Sequence, residues 1–206
     1  MGEFDIKKEI PVVIPSYEPD EKLIILLEKL REAGFVQIVV VDDGSGELYE
    51  HFFQRAERDF GCQVLRHKAN QGKGRALKTA FHHCLEKFPN LPGVVTADSD
   101  GQHTPECILS CAKALAEHPD SLILGCRCFE GEDVPARSEF GNKCTRIVMR
   151  YLTGITVSDT QTGLRGIPAP FMRQLLLVKG ERFEFETNML LETKERKIPI
   201  VEVPIR

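Results

Sequence analysis

The stretch GVVTADSD, residues 93–100, is a short apolar run that ends in two acids. An uninterrupted apolar run of this length is typical of a strand buried on both faces of a parallel sheet. Asp98 and Asp100, one residue apart at the end of such a strand, supply the oxygen ligands that Mg²⁺ and Mn²⁺ prefer. Gln102 and His103 follow and add an amide oxygen and an imidazole. The stretch therefore predicts a strand with a metal site at its carboxyl end, where a diphosphate would complete the coordination.

Other strand-like runs flank this one along the first 125 residues, and helical patterns separate them. In residues 21–33 leucines recur at three- and four-residue steps, which gives the single apolar stripe of a helix packed on a sheet. This succession predicts an α/β fold: a doubly wound, mostly parallel sheet flanked by helices. The predicted strands are Ile10–Ile14, Val36–Val41, Gln63–Leu65, Val94–Ala97 and Leu122–Leu124, and the predicted helices are Glu21–Ala33, Glu47–Phe60, Gly74–Phe88 and Pro105–Glu117.

The regular alternation stops at residue 127, and the second half is more varied. No linker, repeat or low-complexity tract separates the halves, so we expect one domain over residues 1–206, with a regular half at 1–126 and a variable half at 127–206. The variable half is predicted to contain an acidic loop at Phe129–Ser138, an amphipathic helix at Glu139–Leu152, a polar loop or short strand at Val157–Gly166, a helix at Phe185–Lys197 and a closing strand at Ile200–Ile205.

Composition and charge restrict the function classes. A hydrophobic fraction of 42% and a charged fraction of 28% are those of an ordinary soluble globular protein. The net charge of -4 argues against a protein built to bind nucleic acid. Seven cysteines without a Cys-x-x-Cys spacing favour buried thiols in a reducing cytosol over a zinc or redox site. We expect a soluble chain, since residues 1–9 lack the apolar segment of a signal peptide and no apolar run approaches the roughly 20 residues that span a bilayer.

Polar motifs follow three of the predicted strands at their carboxyl ends. They are residues 15–17 (Pro-Ser-Tyr), residues 42–45 (Asp-Asp-Gly-Ser) and the two acids after residue 97. Because parallel strands end at one edge of a sheet, these motifs are expected to meet there and to bind a ligand. Asp42 and Asp43 could accept hydrogen bonds from a base and from ribose hydroxyls. The alternative is that Ser45 caps the next helix and that the acids favour its N-terminus.

A glycine-rich basic loop, Asn70-Gln71-Gly72-Lys73-Gly74-Arg75-Ala76, precedes another helix. It has neither the P-loop spacing nor that of a dinucleotide fingerprint. Its glycines allow close approach of a ligand, and Lys73 and Arg75 add positive charge near a helix N-terminus, which favours anions. The alternative is a glycine turn with a solvated basic pair.

The variable half contains a further set of candidate residues. Its arginines could together form a second anion site for a diphosphate or a phosphorylated acceptor, although most surface arginines have no specific role. Asp159 could orient an acceptor or take its proton, or form an Asx-type turn. Glu184 and Glu186 have helix capping as their default interpretation. The arginines are Arg127, Arg137, Arg146, Arg150 and Arg165.

Six segments, in order along the chain, carry a resemblance to a known family: residues 14–17, 41–45, 70–74, 97–103, 159–165 and 183–206. With them the chain resembles the glycosyltransferase family 2 enzymes of GT-A fold, in the branch of dolichyl- and polyprenyl-phosphate sugar synthases. The resemblance implies a nucleotide-sugar-binding half at 1–126 and an acceptor-side half at 127–206. It also implies roles for single residues. The base and ribose would be held by Pro15, Tyr17, Glu18, Asp42 and Asp43.

The same resemblance places the remaining site residues. Asp98 would lie near the ribose and the metal, with Asp100 and Gln102 as metal ligands. The donor diphosphate or the acceptor phosphate would lie near Arg127, Arg137 and Arg165. Glu18 stands where the family often has Asn, which would alter the contacts to the base.

The implied reaction is the transfer of a hexose from a UDP- or GDP-sugar to an acceptor, most simply a polyprenyl phosphate, with inversion and with Mg²⁺ or Mn²⁺ as cofactor. A lipid phosphate needs no strong base, whereas a sugar hydroxyl would require one from Asp159 or Glu186. The enzyme would act from the cytoplasm at the membrane surface, with helix 139–152 as the candidate contact. The alternatives are a sugar-phosphate nucleotidyltransferase and a non-catalytic nucleotide-sugar-binding protein.

Overall fold

The strand at residues 93–96 lies in the middle of the sheet. The structure is a computed structural model that describes residues 4–127, 157–160 and 162–205, with the backbone alone at residue 127. Within these ranges seven strands form one sheet in the order β3-β2-β1-β4-β6-β5-β7. The strands are β1 (Val12–Ser16), β2 (Ile38–Asp42), β3 (Gln63–Arg66), β4 (Gly93–Thr96), β5 (Leu122–Arg127), β6 (Arg165–Pro168) and β7 (Ile200–Ile205).

Strand direction decides which loops meet. The pairs β1–β2, β2–β3, β1–β4 and β5–β7 are parallel, as predicted. β6 is antiparallel to both of its neighbours, and Arg165 lies opposite Thr96 of β4 and Leu124 of β5. β6 therefore begins at the edge where β4 ends. We call this edge, at the carboxyl ends of the parallel strands, the ligand edge.

Helices cover both faces of the sheet, and each face has its own apolar cluster. Helices α2, α3 and α5 pack on one face, and α4, α6 and α7 pack on the other. Caps fix several helix starts: Asp20 accepts from the Lys22 N–H, and Thr104 accepts from the Cys107 N–H. The helices are α1 (Ile6–Glu9), α2 (Glu21–Glu32), α3 (Glu50–Arg58), α4 (Lys73–Lys87), α5 (Pro105–Glu117), α6 (Ala169–Leu175) and α7 (Glu184–Glu195).

The predicted alternation of strands and helices is confirmed, with shifts of a few residues at the ends. The predicted helix Glu47–Phe60 is shorter, because a 3₁₀ turn at Glu47–Tyr49 precedes α3. The alternative interpretation, a Ser45 cap, is wrong: the Ser45 hydroxyl accepts from the Glu18 N–H at 2.9 Å, and no side chain caps this turn. The predicted loop Phe129–Ser138 and helix Glu139–Leu152 lie outside the described residues.

Strand β6 and helix α6 were not specified by the sequence patterns. Arg165-Gly166-Ile167-Pro168 contains Gly and Pro, which are depleted in strands, yet all four residues are buried between β4 and β5. A Cβ on Gly166 would lie 3.0 Å from that of Ile123, so a larger residue would require Ile123 to shift slightly. Across the described ranges, no helix is both long enough and apolar enough to cross a membrane.

Candidate active site

A cleft of about 500 Å³ opens at the ligand edge. The ends of β1, β2 and β4 contribute to its wall, together with the N-terminus of α4 and the turn before α7. The sequence motifs at the strand ends therefore meet, as expected. The lining residues are Pro15, Ser16, Tyr17, Asp43, Asn70, Gly72, Lys73, Ala76, Asp98, Ser99, Asp100, Arg182 and Phe183.

The β1 end presents a hydroxyl and an aromatic ring to the cleft. The Ser16 side chain is only 3% exposed, and its Oγ has no hydrogen-bond partner among the described residues. A buried hydroxyl without a partner costs free energy unless a ligand satisfies it. Tyr17 is 48% exposed, and a hydrogen bond to the Glu18 carboxylate raises the pKa of its phenol. This end of the cleft can thus receive a flat polar ring.

The two acids after β2 hold loops in place. Asp42 accepts from the Ser45 N–H at 2.8 Å. Asp43 is almost fully buried and accepts from the backbone N–H groups of Gln71 and Gly72, while His67 Nδ1 lies 2.7 Å from its Oδ1. Asp43 lines the cleft, but its oxygens already bind the glycine-rich loop. The structure thus shows Asp43 positioning that loop and Asp42 holding the turn at residues 42–45.

The glycine-rich loop packs against the turn that precedes α7. Gly72 has a φ of 103°, and a Cβ there would meet the Glu181 carbonyl oxygen. A Cβ on Gly74 would lie 2.6 Å from that of Phe185. The Arg75 N–H donates to the Glu181 carbonyl at 2.9 Å. The glycines thus permit close contact with another segment of the protein as well as with a ligand.

Lys73 joins three elements at the floor of the cleft. Its Nζ lies 2.8 Å from Asp98 Oδ1 and 2.9 Å from Glu186 Oε2, and its side chain is 17% exposed. Burial alone would lower the pKa of Lys73, but the two carboxylates outweigh it and raise that pKa. Lys73 therefore stays charged and links α4, the end of β4 and the first turn of α7.

Asp98 is held as an anion. Burial would raise the pKa of its carboxyl, but His103 and Lys73 outweigh burial and hold it well below its usual range. His103 Nε2 lies 3.8 Å from Asp98 Oδ2. The chain segment before β6 packs against the same carboxylate. The Thr96 hydroxyl holds this segment by donating to the Gly163 carbonyl at 2.8 Å. A Cβ on Gly163 would meet both oxygens of Asp98.

Asp100 is exposed and lies next to Gln102. Gln102 donates to the Asp100 carboxylate through its backbone N–H at 3.0 Å and through its amide at 2.7 Å. The described chain has no group of three or more His, Cys, Asp or Glu side chains arranged to hold a metal. Gln102 contacts Asp100 through its amide nitrogen, so the two side chains would share a hard cation only after the amide turns its oxygen toward Asp100. Asp98 is less accessible, because Lys73 and His103 already face its carboxylate.

Arg165 and Asp159 differ from their predicted positions. Both are buried, and neither lines the cleft. The Arg165 guanidinium donates to the Thr162 carbonyl at 3.0 Å and to the Glu186 carbonyl at 2.8 Å. Burial lowers its pKa, and the neighbouring carboxylates of Glu186, Asp98 and Asp159 oppose that effect. Arg165 thus supports the floor of this cleft, and its contact with a phosphate stays a prediction. The Arg127 side chain and Arg137 lie outside the described residues.

Residues 12–175 match the profile of Glycosyl transferase family 2. This match spans well over half of the chain.

The chain belongs to glycosyltransferase family 2.

Relatives with curated names agree with this assignment. The UDP-N-acetylglucosamine--dolichyl-phosphate N-acetylglucosaminyltransferase of Methanococcus voltae is 26% identical, over 97% of this chain and 85% of that protein. The dolichyl-phosphate hexose transferase of Haloferax volcanii is 26% identical, over 96% of this chain and 82% of that protein. The chain is therefore a glycosyltransferase similar to dolichyl-phosphate sugar transferases.

A solved structure confirms the GT-A type fold of this family 2 enzyme. The glucosyl-3-phosphoglycerate synthase of Mycobacterium tuberculosis was crystallised with Mn²⁺, UDP and glucosyl-3-phosphoglycerate. It superposes with a TM-score of 0.73 at 18% identity, over 96% of this chain and 70% of that one. At this identity the likeness shows the fold alone.

Sequence reasoning missed several residues of the cleft in this glycosyltransferase. Arg182 and Phe183 line it and were not singled out, and Ser16 was quoted only as part of a motif. Glu186 was given helix capping as its default role, but it contacts Lys73. Arg182 Nη1 lies 3.3 Å from Asn70 Oδ1, and 112 positions separate the two residues in the chain. No local pattern in the sequence signals a contact of that separation.

The position of Gly163 gives a first prediction. Gly163→Ala is expected to displace the Asp98 carboxylate and to lower kcat/KM for transfer by about a hundredfold, the effect of a misplacement of about 1 Å. Steady-state kinetics and thermal melting would be measured together. Gly93→Ala is the matched control, because its Cβ would meet the Ile167 carbonyl at the opposite edge of the sheet. The control should lose stability but keep its kcat/KM, and equal kinetic losses in both variants would contradict the prediction.

Proposed function

We propose that this enzyme transfers a hexose from a nucleoside-diphosphate sugar to a polyprenyl phosphate, with inversion and with a divalent metal. The observation that carries the proposal is the convergence of three chemistries in one cleft. Tyr17 and Ser16 offer a surface for a base, Lys73 lies at the N-terminus of a 15-residue helix, and the Asp100–Gln102 pair offers oxygens to a cation. The names of the relatives support the donor and acceptor classes.

The donor would lie across the β1 and β4 ends. The base would pack against Pro15 and Tyr17, and a polar atom of the nucleoside would satisfy the Ser16 hydroxyl. Lys73 and the N-terminus of α4 would face the diphosphate, since the helix dipole and the ammonium both favour negative charge. The Asp43 contacts keep this loop in place before the donor binds, which lowers the entropic cost of binding.

The oxygens of Asp100 and Gln102, with Asp98 beside them, would hold Mg²⁺ or Mn²⁺. Such an ion neutralises charge that develops on a departing diphosphate. The protein's own contribution is to keep Asp98 and Lys73 ionised and fixed. Glu186 forms an ion pair with Lys73, and Arg165 in turn donates to the Glu186 carbonyl, so both residues help to hold Lys73 in place.

The acceptor phosphate oxygen would attack the anomeric carbon while the bond from that carbon to the diphosphate oxygen breaks. The bonding electrons leave with the nucleoside diphosphate, and a single displacement inverts the anomeric centre. A lipid phosphate is already anionic at neutral pH, so no side chain has to remove a proton. The full burial of Asp159 agrees with this scheme, because a buried carboxylate outside the cleft is poorly placed to act as a base. The lipid acceptor implies action at the cytoplasmic face of a membrane.

A ligand panel tests the donor part of the proposal. The wild-type melting temperature would be measured with UDP-glucose, UDP-galactose, UDP-N-acetylglucosamine, GDP-mannose and the nucleoside triphosphates UTP and GTP, each with and without Mn²⁺. A donor at a hundred times its Kd should stabilise the folded state by about 2.7 kcal/mol. We expect one donor to do so in a Mn²⁺-dependent way and to transfer its sugar to undecaprenyl phosphate. A shift with a nucleoside triphosphate alone, and with none of the sugars, would overturn the proposal.

A further inference from the structure

The turn that borders the cleft before α7 is firmly held. We call residues 177–183 the rim turn. Lys78 Nζ donates to the Gly180 carbonyl at 2.9 Å, and the Asn188 amide donates to the Lys179 carbonyl at 2.9 Å. Glu184 accepts from the backbone N–H groups of Glu181 and Arg182. These bonds hold the backbone of the rim turn, so the exposure of its side chains is a property of an ordered segment.

The rim turn exposes two apolar side chains, one of them at the cleft. Leu177 is 85% exposed and Phe183 is 76% exposed, whereas Val178 between them is buried in the core. Phe183 also lines the cleft. Single exposed apolar residues are common on protein surfaces. Two within one ordered turn, one of them at the mouth of a charged cleft, fit a ligand with an apolar part that reaches out of the cleft.

The charge on the rim turn is placed for an anion. The described cleft lining contains two cationic side chains, Lys73 and Arg182. Lys73 is neutralised by Asp98 and Glu186, whereas the Arg182 guanidinium donates to the uncharged amide oxygen of Asn70. Exposed Lys179 adds a further positive charge to the same turn. The Glu184 carboxylate also attracts Arg182, but it accepts its hydrogen bonds from backbone N–H groups, so the Arg182 guanidinium can still donate to a phosphate.

We infer that the rim turn binds the acceptor lipid: Arg182 contacts its phosphate, Phe183 packs on the first isoprene units, and Leu177 reaches the membrane. This inference rests on the proposed function and names a part of its site. It locates the lipid contact on the rim turn rather than on the predicted helix Glu139–Leu152. An aromatic ring next to a cation matches a ligand whose anionic head is joined directly to a hydrocarbon chain.

Vesicle binding tests the inference independently of turnover. The wild-type chain would be sedimented with phosphatidylcholine vesicles, alone, with phosphatidylglycerol, or with undecaprenyl phosphate. The double variant Arg182→Gln/Phe183→Ser would be compared with Arg58→Gln/Val36→Ser, which makes the same types of change at exposed positions near the opposite edge of the sheet. We expect binding only to vesicles with undecaprenyl phosphate, and a loss of about tenfold or more in the rim variant alone.

Two outcomes would overturn the inference. Equal binding to phosphatidylglycerol vesicles would mean that the chain recognises an anionic membrane and not the acceptor. Unchanged binding of the rim variant to undecaprenyl phosphate vesicles would place the lipid elsewhere. Donor binding by the wild type separates this result from a failure of the proposed function: the absence of a Mn²⁺-dependent thermal shift with every donor would count against the proposed function and not against the rim assignment. A wild type that binds the lipid through the rim turn but transfers no sugar to it would refute the proposed function and leave the rim assignment standing.

Discussion

Asp100→Asn is expected to lower kcat/KM for hexose transfer by about a hundredfold to a thousandfold, with little change in stability. The side chain is exposed and outside the core, so the isosteric amide should change the free energy of unfolding by no more than about 0.5 kcal/mol. The amide removes one negative oxygen from the pair with Gln102, and with it the charge that attracts a divalent cation. The dependence of the rate on Mn²⁺ concentration should therefore shift to higher concentrations.

Kinetics with a matched surface variant would check this result. Asp120→Asn changes an exposed aspartate at the opposite edge of the sheet and should leave kcat/KM unchanged. Circular dichroism melting of both variants would establish that they are folded. Wild-type activity in Asp100→Asn, with the same Mn²⁺ dependence, would remove Asp100 from the proposed metal site.

Lys73→Met is expected to cost about 3 kcal/mol of unfolding free energy, the low end of the range for breaking a buried ion pair, because the partners are partly exposed. The change leaves the Asp98 and Glu186 carboxylates near each other without the ammonium that separates them. It should also abolish most of the transfer activity, since the proposed diphosphate contact is lost. Urea denaturation with a linear extrapolation would measure the stability change.

The direction in which pH changes the stability of the Lys73→Met protein, relative to the wild type, follows from the pKa of Asp98. In the wild type the depressed pKa of Asp98 contributes stability that is present at neutral pH and is lost only as the pH falls through that low pKa. Without Lys73 the pKa of Asp98 rises, so its carboxyl is protonated at a less acidic pH. The stability difference between the two proteins should therefore narrow as the pH falls from neutral.

Two further variants serve as controls for the lysine. Lys22→Met breaks an exposed ion pair with Asp20, at 3.7 Å, and should cost less than about 0.5 kcal/mol. Lys73→Arg keeps the charge and should recover part of the lost stability. A Lys73→Met protein as stable as the Lys22→Met protein would show that the three-residue cluster contributes nothing to the fold.

Much of the fold was predictable because its signals are local. Strands β1, β2 and β4 contain continuous runs of Val and Ile, and α2 and α5 have apolar stripes and capping residues next to them. β6 was not predictable in the same way. Its Gly166 and Pro168 are poor strand formers, and only the space between β4 and β5 makes an extended segment favourable there.

The residues of the candidate site also differ in whether a local sequence pattern signals them. Asp98, Asp100 and the glycine-rich loop are visible because short motifs follow predicted strands. Arg165 illustrates the limit: its residue type suggests a phosphate contact, but its neighbours in space place it beneath the cleft. Arg182 becomes a candidate only through its contact with Asn70, and the contact of Glu186 with Lys73 was equally hidden; both partners lie more than a hundred positions earlier in the chain.

The reversed direction of β6 also has an evolutionary consequence. β5 ends and β6 begins at the ligand edge, and the two strands are neighbours, with Leu124 opposite Arg165. The connecting segment therefore leaves and re-enters the sheet at nearly the same point, beside the cleft. Doubling the length of such a connection costs only about 0.6 kcal/mol in closure entropy. Under the proposed function, a change in the length of this connection would alter the surroundings of the acceptor while the strands next to the proposed donor site stay in place.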